Sequence, residues 1–287
     1  MTNQNFTVTK EDMRRALDSF GIEKDAILLT HSSLKACGVI EGGPFGVIEA
    51  LEATVPDGTL VFPTLSQKNW RTVFEDWHMD RPSDVGLISE TFRTQPGSLR
   101  SDNPTHSVSA RGRDAKDIVG GPHYENGRYG IYGDYPFGYN SPWQRMYDSR
   151  ERYGVRAYVL FWGVHMTYNT YKHFAEYKFV EDMLARVKSD ELRAKLKSEI
   201  AYPPLPPGTL NKSYFWPFMN STAFEDVLLA EGIAKKVKLG EGELILCDIY
   251  EMQKRTELEQ KSNPIGIIAE EHQAAIPFVE RLIEASK

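Results

Sequence analysis

The chain of 287 residues is short of cysteine: it has 2, Cys37 and Cys247, far apart and in segments that read as structured. That excludes a disulfide framework and a cysteine-rich metal site. It has no apolar run long enough to span a bilayer, and Met1 to Lys10 lack the charged-then-apolar order of a secretory leader, so a cytoplasmic protein is expected. Basic residues are in the minority, 34 Lys and Arg against 40 Asp and Glu. The net charge of -6 argues against a nucleic-acid surface and suits a cationic small molecule. No glycine spacing fits a P-loop or a dinucleotide fingerprint, and no Gly-x-Ser-x-Gly elbow is present. His31, His106, His165 and His173 do not pair at the spacings that set two imidazoles on one helix face, so no metal is expected. Internal repeats and low-complexity segments are missing as well.

What is there is enough chain for a full core, with clear punctuation. Thr9 and Asp12 form a capping-box pattern before an apolar stripe of Met13, Leu17 and Phe20, and Gly21 ends that helix. Ala26 to Thr30 reads as a buried strand, Phe45 to Val55 as a helix with Pro44 in its first turn, and Thr59 to Pro63 as the next strand. That order is a βαβ unit, so the two strands should be parallel. Gly86 to Thr94 is helical, Arg100 to Ala110 is a loop entering a short strand, and Ser141 with Pro142 starts another helix. Tyr158 to Trp162 is a further buried strand. Lys178 to Ile200 has helical spacing, Phe224 to Glu231 is a helix ended by Gly232, and Ala234 to Asp248 is a hairpin turning at Gly240-Glu241-Gly242. Helices from Ile249 to Gln260 and from Ile267 to Ala285 close the chain. The expectation is one α/β domain over residues 1–287, with a central mixed, largely parallel sheet flanked by helices. Irregular loops at 67–84 and 120–140, a helical insertion at 178–222 and a late β-hairpin complete it.

Chemistry concentrates where the strand ending at Trp162 gives way to a helix. Gly163 turns the chain, Asn169 or Thr170 is placed to cap the helix, and His173 and Glu176, three apart, share one helix face. An imidazole at the C-terminal end of a strand, beside a carboxylate, suits a general base near neutral pH; a plain polar helix surface is the alternative. His31-Ser32-Ser33 follows a strand and precedes the pair Gly42-Gly43 at a helix start, where free amides suit a phosphate; an ordinary strand-to-helix turn reads the same way. Asn103 to Ser109 brings a second cluster of imidazole and hydroxyls, with His106 and Ser107, and His123 lies in a glycine-rich span beside Tyr124.

Taken together these segments resemble the aminoglycoside 3-N-acetyltransferase family, antibiotic N-acetyltransferases that use acetyl-CoA and lack the GNAT fold. The matching pieces stand in family order: Leu28-Leu-Thr-His-Ser-Ser-Leu-Lys-Ala-Cys-Gly38 with Gly42-Gly43, then Asp57-Gly-Thr-Leu-Val-Phe-Pro-Thr64. Arg100 to Gly112 follows, then Asn140-Ser141-Pro142, and finally Gly163 through Asn169-Thr170 to His173 and Glu176. The resemblance implies His173 as the base that takes the amine proton, with Glu176 and Asn169 completing its motif. It implies His31, Ser32, Ser33, Lys35, Gly42 and Gly43 as the loop that holds CoA. Thr64, His106 and Ser107 resemble positions lining the channel where thioester and acceptor meet. One departure falls inside the motif, where relatives often carry a second glycine and this chain has His165.

The acceptor pocket matches less well, and Asp76, Asp84, His123 and Glu125 are the candidates to bind the substrate, with Glu75, Asp80 and Asp134 beside them. The expected activity is acetyl-CoA-dependent N-acetylation of a small polar amine, foremost the 3-amino group of an aminoglycoside, by a monomer or homodimer without metal. Alternatives are acylation of a different amine by the same fold, or a module that binds CoA or a nucleotide without turnover.

Overall fold

The computed structural model describes residues 7–66, 77–121, 137–138, 140–200 and 217–287. The elements run β1 (Thr7–Val8), α1 (Lys10–Asp18), β2 (Ile27–Ser32), β3 (Val39–Ile40), α2 (Gly43–Thr54), β4 (Thr59–Pro63), α3 (Leu87–Thr94), β5 (Leu99–Arg100) and β6 (Val108–Gly112). Then come α4 (Ala115–Val119), α5 (Pro142–Tyr147), α6 (Ser149–Arg152), β7 (Ala157–Trp162), α7 (Lys172–Arg186) and α8 (Asp190–Ile200). The chain closes with α9 (Ser221–Ala230), β8 (Ala234–Leu239), β9 (Gly242–Asp248), α10 (Ile249–Ser262) and α11 (Ile276–Ala285).

Local chemistry sets the starts of these helices. Thr9 caps α1 with the full reciprocal box, its Oγ1 accepting from the Asp12 amide while the Asp12 carboxylate accepts from the Thr9 amide. Ser141 caps α5 with Pro142 in the first turn. Seven strands form one sheet in the order β5-β6-β4-β2-β7-β9-β8. β4 and β7 lie parallel on either side of β2, as the βαβ order requires, with Ile27 opposite Thr59 and Ala157. Every other pairing in this sheet is antiparallel. The sheet is therefore mixed as expected but parallel only at its centre, because β6 enters from a loop and β9 from a hairpin, neither with the helical crossover that a parallel return needs.

Alternation along the strands divides the core. Leu28, Leu60, Leu160 and Trp162 face α1, α2 and α3, whereas Ile27, Leu29, Val159 and Phe161 face α5, α7, α9 and α10. A third cluster joins α7, α8 and α11 through Phe179, Leu184, Leu196, Phe278 and Leu282. Lys178 lies inside α7, so no boundary falls where the insertion pattern begins, and the final helix starts at Ile276 after a tight turn over Glu270–Ala275. Among the described residues no helix is long and apolar enough to cross a membrane.

Candidate active site

Gly163 follows β7 directly, with φ 65°, a left-handed value that glycine adopts without strain. A Cβ there would meet Ala36 Cβ at 2.8 Å and Cys37 Sγ at 3.2 Å. This turn therefore lies against the loop that follows β2, and the two halves of the sequence motif share one end of the sheet. A short 3-10 turn over Met166–Tyr168 comes next, and α7 begins at Lys172 with Tyr171 at the cap position and no side-chain cap. Asn169 lies just outside the helix. Its buried Oδ1 accepts from the Tyr171 amide at 3.0 Å and its Nδ2 faces Met252 Sδ at 3.7 Å, so it shapes the bend.

His173 stands in the first turn of α7. Its Nδ1 is 2.6 Å from Glu176 Oε2, and the Glu176 side chain is wholly buried. The second carboxylate oxygen, Oε1, accepts from the Met219 amide at 2.8 Å. With Nδ1 donating to the carboxylate, Nε2 holds the lone pair and is free to take a proton. Rings surround the imidazole: Phe218 at 5.0 Å between centroids, Phe137 at 5.4 Å and His106 at 6.2 Å.

The turn before the dyad is braced from α9. Glu225, almost buried, accepts from the Met166 amide at 2.8 Å and faces His165 Nδ1 at 3.1 Å. Lys172 Nζ donates to Ser221 Oγ at 2.8 Å. His165, where relatives often have glycine, thus pairs with Glu225 and has a side chain 61% exposed instead of entering beside His173.

At the end of β2, His31 is stacked on Phe161, the residue opposite it in β7. Burial, helped by the charge of His173, pulls its imidazole down to about 3, so it stays neutral. Its Nε2 is buried without a partner, as is Ser32 Oγ. The Ser33 amide donates to Trp162 O at 2.8 Å, and Lys35 is exposed. Gly42 and Gly43 both have positive φ and lead into α2, whose first turn lacks a side-chain cap. A second uncapped start, that of α3 at Gly86, lies by the end of β2: a Cβ on Gly86 would be 3.6 Å from Ser32 O. Glycine spacing alone does not reveal these first-turn amides beside Ser32.

Thr64 and Ser107 are fully buried and occupied with each other. Ser107 Oγ donates to Thr64 O at 2.9 Å and accepts from Arg100 Nε at 3.1 Å. Arg100 also donates to Thr64 O and Ser66 Oγ and lies over the Trp77 ring, so the Thr64 and Ser107 hydroxyls belong to a buried polar frame around Arg100. His106 Nδ1 is 2.7 Å from Thr105 Oγ1, and the His106 amide donates to Asn103 Oδ1. The Asp84 amide pairs with Leu65 O next to that frame, and Asp80 lines a separate surface cleft with Arg93, Arg100 and Lys116. Asp76, His123 and Glu125, with Glu75 and Asp134, lie outside the described residues. Met219, Phe218, His272 and Glu225 give no signal in the sequence: Met219 acts through its backbone, and the others become relevant only when distant elements meet. Cys37, beside Gly163, has its thiol pushed up to about 11 by burial, which makes it a poor nucleophile at neutral pH.

A buried carboxylate holds an imidazole at the C-terminal edge of a mixed sheet, which defines an α/β protein with a histidine–glutamate pair at the strand ends. A family model described as aminoglycoside 3-N-acetyltransferase matches residues 29–258, and the chain belongs to that family. It is 30% identical over 195 residues to the SPbeta prophage-derived aminoglycoside N(3')-acetyltransferase-like protein YokD of Bacillus subtilis, covering 60% of this chain and 66% of that protein. It is 29% identical over 199 residues to aminoglycoside N(3)-acetyltransferase III of Pseudomonas aeruginosa, covering 62% and 66%. The chain thus spans just under two thirds of each of these relatives. The fold matches the apoenzyme of aminoglycoside acetyltransferase AAC(3)-IVa with TM-score 0.67 at 21% identity, over 96% of this chain and 100% of that one. It also matches AAC-IIIb, solved as a binary complex with CoASH, with TM-score 0.60 at 20% identity over 89% and 98%.

Proposed function

We propose that this protein is an acetyl-CoA-dependent N-acetyltransferase for an amine on a small polar acceptor, foremost the 3-amino group of an aminoglycoside. The observation that carries this reading is the junction at Gly163, which sets the His173–Glu176 pair at the same sheet edge as the turn from Ser32 to Gly43. The residues fit CoA: open first-turn amides of α2 and α3, an unpartnered Ser32 hydroxyl and the cationic Lys35 suit its phosphates.

In this account Glu176 fixes the tautomer of His173 and steadies the imidazolium that forms. His173 Nε2 removes the proton of the acceptor amine as the nitrogen attacks the acetyl carbonyl carbon. The carbon–sulfur bond breaks, and His173 returns the proton to the departing thiolate. No residue of the chain becomes acylated. The relatives' names, and the complex of an AAC(3)-IVa mutant with apramycin, support an aminoglycoside as the acceptor.

The test is CoA release with a panel of aminoglycosides and simple amines. His173→Ala should lower the rate about 10²–10⁴-fold. Wild-type release by that variant would remove the base assignment. Binding of CoA with no release for any amine would favour a module without turnover.

A further inference from the structure

A small cavity of about 20 Å³ borders the bend that leads into α7, where that helix meets α9 and α10, and Asn169, Tyr171, Met219, Phe224, Met252 and Gln253 are among its walls. One water needs about 10–15 Å³, so the space admits one and not two. Most polar groups around it are already used. Ser221 Oγ accepts from Lys172 Nζ at 2.8 Å, Thr256 Oγ1 donates to Met252 O at 2.8 Å, and Asn169 Oδ1 accepts from the Tyr171 amide. Two are not: the Tyr171 hydroxyl and Gln253 Oε1 are buried without a hydrogen-bond partner, on residues each 1% exposed. Gln253 Nε2 donates to Glu257 Oε1 at 3.2 Å, which identifies the other end of the amide as the oxygen. Asn169 Nδ2, on a residue 4% exposed, has only the weak acceptor Met252 Sδ at 3.7 Å.

These groups are complementary through a water. It accepts from the Tyr171 hydroxyl and Asn169 Nδ2 and donates to Gln253 Oε1, about the three bonds that a buried water makes. Leaving a hydroxyl and an amide oxygen buried and unpaired costs more than immobilising one water. We propose that this cavity is a structural water site, and that through its water Gln253 is a positioning residue for His173. Asn169 and Tyr171 lead directly into α7, whose first turn carries His173, so the water ties α10 to the backbone on which the base stands. Met219, whose amide holds Glu176 Oε1, borders the same cavity, so the seats of both members of the dyad depend on how it is filled. The site itself is independent of the acetyltransferase reading; the positioning role rests on it.

Tyr171→Phe and Gln253→Met each remove one partner while keeping the volume nearly constant. With a water bound, Tyr171→Phe should lower the folding equilibrium constant roughly 5–10-fold, read from urea unfolding. In a dry cavity the same change deletes an unsatisfied hydroxyl and leaves the protein as stable or more so. The double variant should lose less than the two single losses combined, because one water is lost once. A crystal structure of the wild type should show a single peak within about 2.7–3.2 Å of Tyr171 Oη and Gln253 Oε1, gone or weakened in either variant. With an amine that turns over, Tyr171→Phe should lower kcat about 3–10-fold and leave KM for acetyl-CoA within about two-fold. A dry cavity, or Tyr171→Phe at wild-type stability, overturns the site, and wild-type kcat in a variant that has lost the water overturns the positioning role. If no amine is acetylated, unfolding and electron density still decide the site, while the positioning role falls with the acetyltransferase reading.

Discussion

His31 shows how one buried group writes itself into the behaviour of the protein. Its imidazole stays neutral in the fold to about pH 3, whereas in the unfolded chain it takes a proton below its ordinary value near 6.5. The unfolded state then binds more protons, so the stability His31 permits is fully present above about pH 6.5 and is lost as the pH falls toward 3. Between pH 7 and pH 5 the wild type should lose roughly 2 kcal/mol more than His31→Phe, read from urea unfolding at both values. Equal losses would show that His31 is protonated in the fold. At this scale the dyad is legible in the sequence, since residues three apart on a helix must share a face. The fate of hydroxyls is not: Thr64 and Ser107 look reactive as residue types, and only their burial beneath Arg100 shows that their donors are already used.

Among elements, the turn after β7 matters most because it is where two strand ends are pressed together. Gly163→Ala combines a positive φ with a contact of 2.8 Å to Ala36 Cβ, so it should cost about 2 kcal/mol of stability. It should also raise KM for acetyl-CoA more than KM for the acceptor, since the strain falls on the 33–37 loop. Unfolding curves and steady-state kinetics check both, and unchanged values would mean that the loop gives way without consequence. The capping box at Thr9, the βαβ unit, Ser141–Pro142 and the late hairpin are all readable because caps, glycines and strand alternation are local signals. α7 starts at Lys172, beyond its apparent cap at Asn169, which instead closes the 3-10 turn over Met166–Tyr168 and accepts from the Tyr171 amide.

Over the whole molecule, the chain folds so that its last third completes a site announced by its first two. Met219 reaches Glu176 and Phe218 reaches His173, with His272 behind Phe218, from sequence positions that give no sign of it, because their contacts depend on how α7, α9 and the turn before α11 pack. Sheet direction carries the same lesson: the parallel centre follows from the βαβ order and the β8–β9 pairing from the hairpin, while the antiparallel pairings of β6 with β4 and of β9 with β7 follow from connections too irregular to read. The central claim is that one edge of this sheet holds both the CoA grip and the base. A crystal structure with CoA tests it most directly. The account predicts a pyrophosphate near the starts of α2 and α3 and a sulfur within about 3–4 Å of His173 Nε2, or one water away. A CoA bound with its sulfur on another face, out of reach of that nitrogen, would contradict it.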